Sequence, residues 1–422
     1  MVEEMSPRER VMVAVEHKEA DRIPIHFGPP DSGIIEIVPP CYVPAGRNHG
    51  YTALLKYLGF YPPNPEPRMG SLNEVTNIDE RVLKRLHVDT RLLYAGTSPR
   101  KYMPDGSFIE RYGFRWYPTG PYYDVCGREV MRHVMKIEEM ERYPWPDPHD
   151  PIIAQGKEEE ARRSAETGYW IIGVPEQGGT LVYTYVFLFG FERAFTDPVL
   201  RPEFFKATMD RMMDVHKGIM ETFLQATGDY IDALLFGDDM GAQGGPIMSL
   251  DFYRKHWKAY QKELIQHCKK FTKAKIHLHS CGSNWTYVRD FREIGIDILE
   301  NVQAKPWRNE PWRLKRDYGN IMCFWGGIDT QELLPFGTLE DIEQVVRETM
   351  RIYGERGGYI LALQHTAQAE VPAESIVAVF DGAYEYGKYP LPKETQGDRR
   401  VLEKYPYLSP ESAVDPDAQL PT

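Results

Sequence analysis

Residues 276–282 read Ile276-His277-Leu278-His279-Ser280-Cys281-Gly282, and both the fold and the chemistry can be predicted by working outward from them. The segment predicts a β-strand that ends in a His-x-Cys pair followed at once by glycine. Side chains two positions apart on a strand point the same way, so the imidazole of His279 and the thiol of Cys281 can reach one metal ion. The segment therefore predicts a strand with candidate metal ligands at its carboxyl end.

A regular series of strands and helices extends in both directions from this segment. Helices are predicted before it at 186–195, 202–227 and 250–271, and after it at 285–293, 311–318, 339–353 and 373–386. The predicted strands lie near residues 23, 90, 170, 231, 275, 297, 321 and 359. Eight alternating units without a sign of reversal predict an α/β fold of the (β/α)8, or TIM-barrel, type. A doubly wound parallel sheet is the alternative.

The remaining segments predict how this barrel is extended. Ser6-Pro7-Arg8-Glu9 is a capping box with proline at the first helical position, so an N-terminal helix is predicted to begin there. Residues 29–70 are rich in Pro and Gly and predict long loops around one short helix. A β-rich insertion is predicted at about 97–150. We expect one TIM-barrel domain over 1–390 and a C-terminal surface tail over 391–422.

The composition restricts the partners that we expect. A formal net charge of −12 argues against a nucleic-acid partner, which would need a basic face. Five cysteines without a CxxC spacing fit a reducing cytosol, and the N-terminus MVEEMSPRER lacks the apolar segment of a signal peptide. No stretch approaches the 18 apolar residues of a membrane span. We expect a cytoplasmic protein that binds neither nucleic acid nor membrane, and a homodimer is left open.

In a TIM barrel the active site lies at the carboxyl ends of the strands, so the polar residues there are the candidate site. They are His26, Glu176, Gln177, Tyr183, Tyr185, Asp238, Asp239, His277, His279, Cys281, Glu300, Gln303, Asp329, Gln364, His365 and Gln368. Structural roles stay open for several of them. One of the two adjacent aspartates can cap the helix after strand 4, and Asp329 can cap the helix that follows it. His277 and the two tyrosines can be core residues.

Several segments, in order along nearly the whole chain, resemble the uroporphyrinogen decarboxylase superfamily. They are Arg8-Glu9-Arg10, Asp21-Arg22-Ile23-Pro24, Phe236-Gly237-Asp238-Asp239-Met240-Gly241, His279-Ser280-Cys281-Gly282, Gly295-Ile296-Asp297, Gly326-Gly327-Ile328-Asp329-Thr330-Gln331 with Leu334-Pro335, and Gly357-Gly358-Tyr359-Ile360-Leu361 followed by His365. The resemblance implies a TIM barrel, in agreement with the strand count.

The chain departs from true uroporphyrinogen decarboxylases and is more similar to the zinc methyltransferase branch. The arginine-rich signature with which the decarboxylases hold substrate carboxylates is missing from residues 26–33. The branch works with corrinoid proteins, and its zinc motif is His-x-Cys plus a later Cys at strand 8, where this chain has His365. The resemblance therefore implies zinc held by His279, Cys281 and His365. Likeness to the cobalamin-independent methionine synthases adds Glu300 as the fourth ligand.

This change of ligand has a chemical consequence. One thiolate with imidazoles leaves zinc more electropositive than two thiolates would, and so a better Lewis acid for an oxygen. We expect a methyltransferase that demethylates a methoxylated aromatic compound and passes the methyl group to the Co(I) of a corrinoid protein. The residues expected to act in catalysis are Asp239, Asp238 and His365. Those expected to bind substrate are His26, Tyr183, Tyr185, Gln177 and Asp329.

Three other functions remain open from the sequence. One is a metal-independent decarboxylase of a small carboxylate, which would use Asp238 or His365. Another is a methyltransferase for coenzyme M or a methylthiol. The third is a barrel that binds a corrinoid or tetrapyrrole without catalysis.

Overall fold

The computed structural model describes residues 4–28, 32–36, 50–70, 74–98, 100–120, 122–125, 127–176, 180–392 and 399–410. The strands are β1 Thr90–Tyr94, β2 Lys101–Tyr102, β3 Phe108–Ile109, β4 Arg115–Thr119, β5 Tyr122–Asp124, β6 Trp170–Val174, β7 Ala233–Gly237, β8 Gly241–Ala242, β9 Gly245–Pro246, β10 Lys275–His279, β11 Ile298–Glu300, β12 Cys323–Ile328 and β13 Tyr359–Leu363. The helices are α1 Pro7–Val15, α2 Gly50–Tyr57, α3 Glu80–Arg85, α4 Ile137–Glu141, α5 Lys157–Ala165, α6 Leu181–Phe189, α7 Phe191–Leu200, α8 Pro202–Thr227, α9 Leu250–His256, α10 Lys258–Cys268, α11 Val288–Ile294, α12 Pro311–Tyr318, α13 Leu333–Phe336, α14 Leu339–Gly354, α15 Ala373–Tyr386 and α16 Arg399–Lys404. Two 3₁₀ turns span Pro151–Ile153 and Pro406–Leu408.

A parallel sheet forms the centre of the fold. Its strands run in the order β1-β6-β7-β10-β11-β12-β13, so each strand pairs with the next long strand along the chain. The order has no reversal, which a doubly wound sheet would require. Parallel pairing also brings the carboxyl ends of all these strands to one edge, where His279 is in register with Gly237 on one side and Glu300 on the other.

The sheet is curled, because one segment bonds near both of its outer strands. The N–H of His26 donates to the carbonyl of Leu361 in β13 at 2.9 Å, and the N–H of Asp89, just before β1, donates to Ile25 at 2.8 Å. The sequence predicts a first strand here, but this segment forms isolated bridges instead of a strand: a parallel one between Ile25 and Leu361, and antiparallel ones from Arg22 to Lys388 and from Gly28 to Ser32. Pro24 has no N–H to donate, and the N–H of Ile25 goes to the Asp89 side chain at 2.8 Å, so a regular ladder cannot continue.

Side chains that alternate along the strands belong to two apolar clusters, one on each face of the sheet. One face carries Trp170, Ile172, Val174, Ala233, Leu235, Ile298, Cys323, Trp325, Ile360 and Ala362, which pack with one another and with Val11 and Val15 of α1. The other face packs against the surrounding helices as part of a larger cluster. His277 shares the first face, since its ring lies 4.6 Å from that of Trp325. The inside of the curl is therefore apolar at the amino ends of the strands and becomes polar toward the carboxyl ends.

Three local features differ from the sequence predictions or add to them. The helix expected at 250–271 is two helices that break at Trp257, whose φ and ψ are −121° and −42°. The helix expected at 186–195 begins earlier, at Leu181, and breaks at Gly190 with a φ of +94°. Within the predicted insertion, β2 to β5 form a four-stranded antiparallel sheet. Among the described residues, no helix is both long and apolar enough to cross a membrane.

Candidate metal centre

Three possible metal ligands meet at the carboxyl edge of the parallel sheet. Nε2 of His279 lies 3.6 Å from Sγ of Cys281 and 3.3 Å from Oδ1 of Asp239. The three ligand atoms all lie within 4.8 Å of one another. The side chains of the predicted His-x-Cys pair do meet at one point, although β10 ends at His279 and Cys281 lies in the loop after it. The carboxylate that joins them is Asp239.

The spacing of these atoms fits a tetrahedral zinc ion. Zinc bonds of about 2.1 Å to nitrogen and oxygen and about 2.3 Å to sulfur imply an N···O separation near 3.4 Å and an N···S separation near 3.6 Å. The observed separations are 3.3 Å and 3.6 Å. Imidazole, thiolate and carboxylate are also the ligand types that zinc takes in proteins. The residues present therefore fit this metal, with Nε2 as the histidine ligand atom.

Two loops that follow neighbouring strands hold the three candidate ligands in place. The N–H of Cys281 donates to Oδ1 of Asp239 at 2.7 Å, and the N–H of Met240 donates to the Ser280 hydroxyl at 3.0 Å. Gly282 has a φ of +74°, and a Cβ added there would lie 2.3 Å from the carbonyl carbon of Gly241. This close approach requires glycine, which explains why glycine follows the His-x-Cys pair at once.

One residue at the thiol was not among the predicted site residues. The Asn301 amide donates to Sγ of Cys281 at 3.5 Å. Its backbone has a φ of +64°, in the left-handed region that asparagine tolerates better than most residues. The sequence predicts a strand over 297–302 that includes Asn301, and an asparagine within a strand does not indicate contact with a thiol 20 positions away; the observed strand ends one residue earlier, at Glu300.

A buried carboxylate, Glu300, lies on the Nδ1 side of His279, away from the other two candidate ligands. Glu300 is 1% exposed, and its Oε2 lies 3.2 Å from Nε2 of His277 and 3.9 Å from Nδ1 of His279. The hydroxyl of Ser32 donates to Oε1 of Glu300 at 3.1 Å. Burial raises the pKa of Glu300, but the neighbouring His277, His279 and His26 outweigh it and lower the pKa to about 2. Glu300 is therefore ionised at neutral pH.

The adjacent aspartates have different surroundings. Asp238 is 2% exposed and accepts the N–H groups of Leu181, Val182 and Tyr183 at 2.9–3.2 Å, so it caps α6. The sequence suggests that one of the two aspartates caps the helix after the fourth predicted strand. Asp238 instead caps the helix that follows the third predicted strand, β6. Burial raises the pKa of Asp238 to about 6 against these hydrogen bonds and one from Gln261. Burial also raises the pKa of Asp239, but His279, the Cys281 N–H and His365 outweigh it and hold that pKa below its usual value.

The two tyrosines of α6 also lie in different places. Burial raises the pKa of Tyr183, as do the neighbouring Asp239 and Cys281, so its phenol stays protonated beside the candidate ligands. The Tyr183 ring packs edge-on against Phe187, one helical turn further along, with 5.4 Å between centroids. Trp116 of the insertion packs on the same Phe187 ring at 5.3 Å. Tyr185 is fully buried and donates to Asp197 at 2.7 Å, so it belongs to the helix packing.

The remaining predicted site residues lie at different distances from this cluster. His26 is buried, with Nδ1 2.6 Å from the Thr90 hydroxyl and Nε2 3.2 Å from the Gly28 carbonyl. Asp329 is buried, pairs with Lys305 at 3.0 Å and accepts backbone N–H groups at the start of α13. His365, half-buried, is close enough to Asp239 to lower the pKa of that carboxyl electrostatically. Gln177 lies outside the described residues.

Comparisons with known proteins found one matching family and several similar structures. The sequence profile of a family described as "Uroporphyrinogen decarboxylase (URO-D)" matches residues 130–386, more than half of the chain. A methyltransferase from Methanosarcina mazei has a TM-score of 0.55 and 15% identity over 91% of this chain and 99% of its own, which indicates a shared fold. A GH113 β-1,4-mannanase is 12% identical over 71% of this chain and 89% of its own, with a TM-score of 0.35. No curated protein matches the sequence.

Proposed function

The chain belongs to the uroporphyrinogen decarboxylase (URO-D) family, and we propose that it is a zinc-dependent methyltransferase of that superfamily. It takes a methyl group from a methoxylated aromatic compound and passes it to the Co(I) of a corrinoid protein. The observation that carries this proposal is the cluster of Asp239, His279 and Cys281, whose separations of 3.3 Å and 3.6 Å suit one tetrahedral zinc ion.

The ligand set in this proposal differs in one member from that implied by the resemblance. Asp239 supplies the carboxylate, in place of Glu300, because its oxygen lies on the Nε2 side of His279 together with Cys281. His365 is the candidate for the fourth position or for contact with the methyl donor. A site with one thiolate and one harder carboxylate leaves zinc more electropositive than two thiolates do. Zinc bound there would supply Lewis acidity toward the oxygen that loses its methyl group.

The reaction breaks the methyl–oxygen bond and forms a cobalt–carbon bond. The Co(I) of the co-substrate provides the electron pair and becomes Co(III), while the departing oxygen keeps the electrons of the broken bond and takes up a proton. Tyr183 is suited to donate a hydrogen bond to this oxygen, because its phenol stays protonated beside Asp239. Asp239 itself has a lowered pKa, which suits a metal ligand better than a proton donor.

Aromatic side chains support the choice of an aromatic donor. Tyr183 and Phe187 are partly exposed on one face of α6, and Phe191 is 45% exposed with its ring 6.0 Å from that of Tyr183. Trp116 extends this row of rings into the insertion. Rings in such a row can pack against a planar substrate edge-on or offset. Packing against such a row of rings favours a neutral or weakly anionic aromatic ether.

The curled sheet supports a position for the active site at the carboxyl ends of its strands. We infer that residues 23–27, which bond to Leu361 and to the N–H of Asp89, complete the curled sheet as a (β/α)8 barrel. In that fold the active site lies at the carboxyl ends of the strands, where the candidate ligands lie. The mouth of the barrel would then admit the methyl donor and the corrin of the partner protein.

The test combines metal analysis with an assay of methyl transfer. Purified protein is analysed for zinc and then mixed with cob(I)alamin and a panel of methoxybenzoates and methoxyphenols, while methylcobalamin formation is followed by absorbance. We expect about one zinc per chain and transfer from at least one methoxyarene, with both lost in Cys281→Ala. Protein that binds no zinc and methylates no cob(I)alamin would refute the proposal.

A metal-independent decarboxylase is the second candidate, and the match to the URO-D family favours it. Residues 26–28 and 32–33, described by the structure, carry no arginine that could hold substrate carboxylates. Release of CO₂ from uroporphyrinogen by zinc-free protein, undiminished in Cys281→Ala, would support this candidate against the methyltransferase.

A further inference from the structure

We propose that Glu300 is a positioning residue that holds His279 from the side of the ring opposite the metal. This rests on the proposed zinc centre and differs from the sequence resemblance, which implies Glu300 as a direct ligand. Nε2 of His279 faces Sγ of Cys281 at 3.6 Å and Oδ1 of Asp239 at 3.3 Å. Nδ1 of the same ring lies 3.9 Å from Oε2 of Glu300, within ion-pair distance but beyond hydrogen-bond length.

The geometry of an imidazole ring separates the two roles. The bonding directions of the two ring nitrogens diverge. A carboxylate beside Nδ1 therefore cannot also bind a metal ion that Nε2 holds on the opposite side of the ring. The only described group of His, Cys, Asp and Glu side chains compact enough for a metal ion contains Asp239 and not Glu300. Glu300 therefore lies outside the set of side chains that would contact the ion.

Backbone pairing fixes the distance between Glu300 and His279. The two residues are partners in the parallel register of β10 and β11, and the N–H of Ser280 donates to the Glu300 carbonyl at 3.3 Å. Two further groups lie against the carboxylate: Oε1 accepts a hydrogen bond from the Ser32 hydroxyl at 3.1 Å, and Oε2 lies 3.2 Å from Nε2 of His277. A side chain held in this way cannot swing to the far side of the His279 ring without losing both partners.

A carboxylate at Nδ1 has a specific effect on a histidine ligand. It favours the tautomer with the proton on Nδ1, which leaves the lone pair of Nε2 free for the metal, and it fixes the ring plane. Removal of such an outer partner typically weakens metal binding by about 10–100-fold. Glu300 thus orients the His279 ring and sets its tautomer without contacting the ion.

The experiment compares Glu300→Gln with Glu176→Gln in the full chain. Glu176 is the matched control, because its carboxylate also faces a buried histidine, Nδ1 of His216 at 2.6 Å, but outside the metal cluster. Zinc affinity is measured by competition with a chromogenic chelator. We expect Glu300→Gln to bind zinc about 10–100-fold more weakly than wild type and Glu176→Gln to bind it unchanged. Glu300→Asp, which keeps the charge but shortens the side chain, should fall between.

Cobalt(II) substitution distinguishes positioning from ligation. With Glu300 outside the coordination sphere, cobalt-loaded Glu300→Gln keeps the ligand-field bands and the thiolate charge-transfer band of wild type, although it needs more cobalt to reach them. A changed band pattern in Glu300→Gln would overturn the positioning role, because it would mean that a ligand had been lost. Equal zinc affinity in wild type and Glu300→Gln would overturn it as well. Wild-type protein that binds neither metal would overturn the zinc centre and the positioning role together.

Discussion

The neighbouring aspartates Asp238 and Asp239 give the sharpest prediction. Asp239 carries an oxygen 3.3 Å from Nε2 of His279 and belongs to the proposed ligand set. Asp238 points the other way and caps α6. The substitutions Asp238→Asn and Asp239→Asn are nearly isosteric, so they remove one negative charge from each place without opening a cavity. Only Asp239→Asn should affect metal binding.

The size of the effect follows from the contacts of Asp239. Asparagine keeps an oxygen that can accept the Cys281 N–H, now at 2.7 Å, so the loop should hold its shape. What is lost is the anionic ligand itself. Since removing a group outside the ligand shell already costs about 10–100-fold in affinity, we expect a loss of at least about 100-fold. That corresponds to about 2.8 kcal/mol of binding free energy.

The assay is competition for zinc between each protein and a chromogenic chelator, with circular dichroism as a check of folding. Asp238→Asn should bind zinc with wild-type affinity but unfold at a lower temperature, because an amide cannot accept all the hydrogen bonds of Asp238. Wild-type zinc affinity in Asp239→Asn would refute the ligand assignment. Equal losses in both variants would also refute it, since they would indicate a general effect of charge on the fold.

Three further predictions concern residues around the site and beyond it. Tyr183→Phe should keep its zinc but transfer methyl groups about 100-fold more slowly, as measured by turnover with cob(I)alamin, because the leaving oxygen loses a hydrogen-bond donor. Gly282→Ala should weaken zinc binding and lower the free energy of unfolding by about 1–3 kcal/mol in urea titrations, because its φ of +74° and the 2.3 Å approach to Gly241 leave no room for a Cβ. Glu110 has its pKa raised to about 8 by burial and the nearby Glu176, against Arg100 and Arg111. Its folded pKa is above its unfolded one, so stability should fall by roughly 3 kcal/mol between pH 5 and pH 8, and Glu110→Gln should remove this part of the pH dependence.

Much of the fold could be predicted from the spacing of apolar residues. Helices such as α8 at Pro202–Thr227, α12 at Pro311–Tyr318 and α15 at Ala373–Tyr386 begin and end where the sequence predicts them. The first strand was predicted where only isolated bridges form, because the side chain of Asp89 takes a backbone N–H there. That competition depends on a residue more than 60 positions away, and no local pattern reveals it.

The candidate site was predictable only in part. The His-x-Cys spacing predicts that His279 and Cys281 meet, and they do, although β10 ends at His279 and Cys281 lies in the loop after it. The different surroundings of Asp238 and Asp239 could not be predicted, because they depend on where α6 begins, and α6 began five residues before its predicted start. The same is true of Tyr183 and Tyr185, which point to different sides of that helix. Asn301 reaches the thiol through a left-handed backbone that sequence patterns do not show.

The most direct measurement of the central claim is X-ray absorption at the zinc edge of the zinc-loaded protein. The proposed ligand set predicts one sulfur at about 2.3 Å together with two or three nitrogen or oxygen neighbours at about 2.0–2.2 Å. In Cys281→Ala any bound zinc should show no sulfur neighbour. Two sulfur neighbours in the wild-type protein, or none, would contradict the account of a single-thiolate zinc centre.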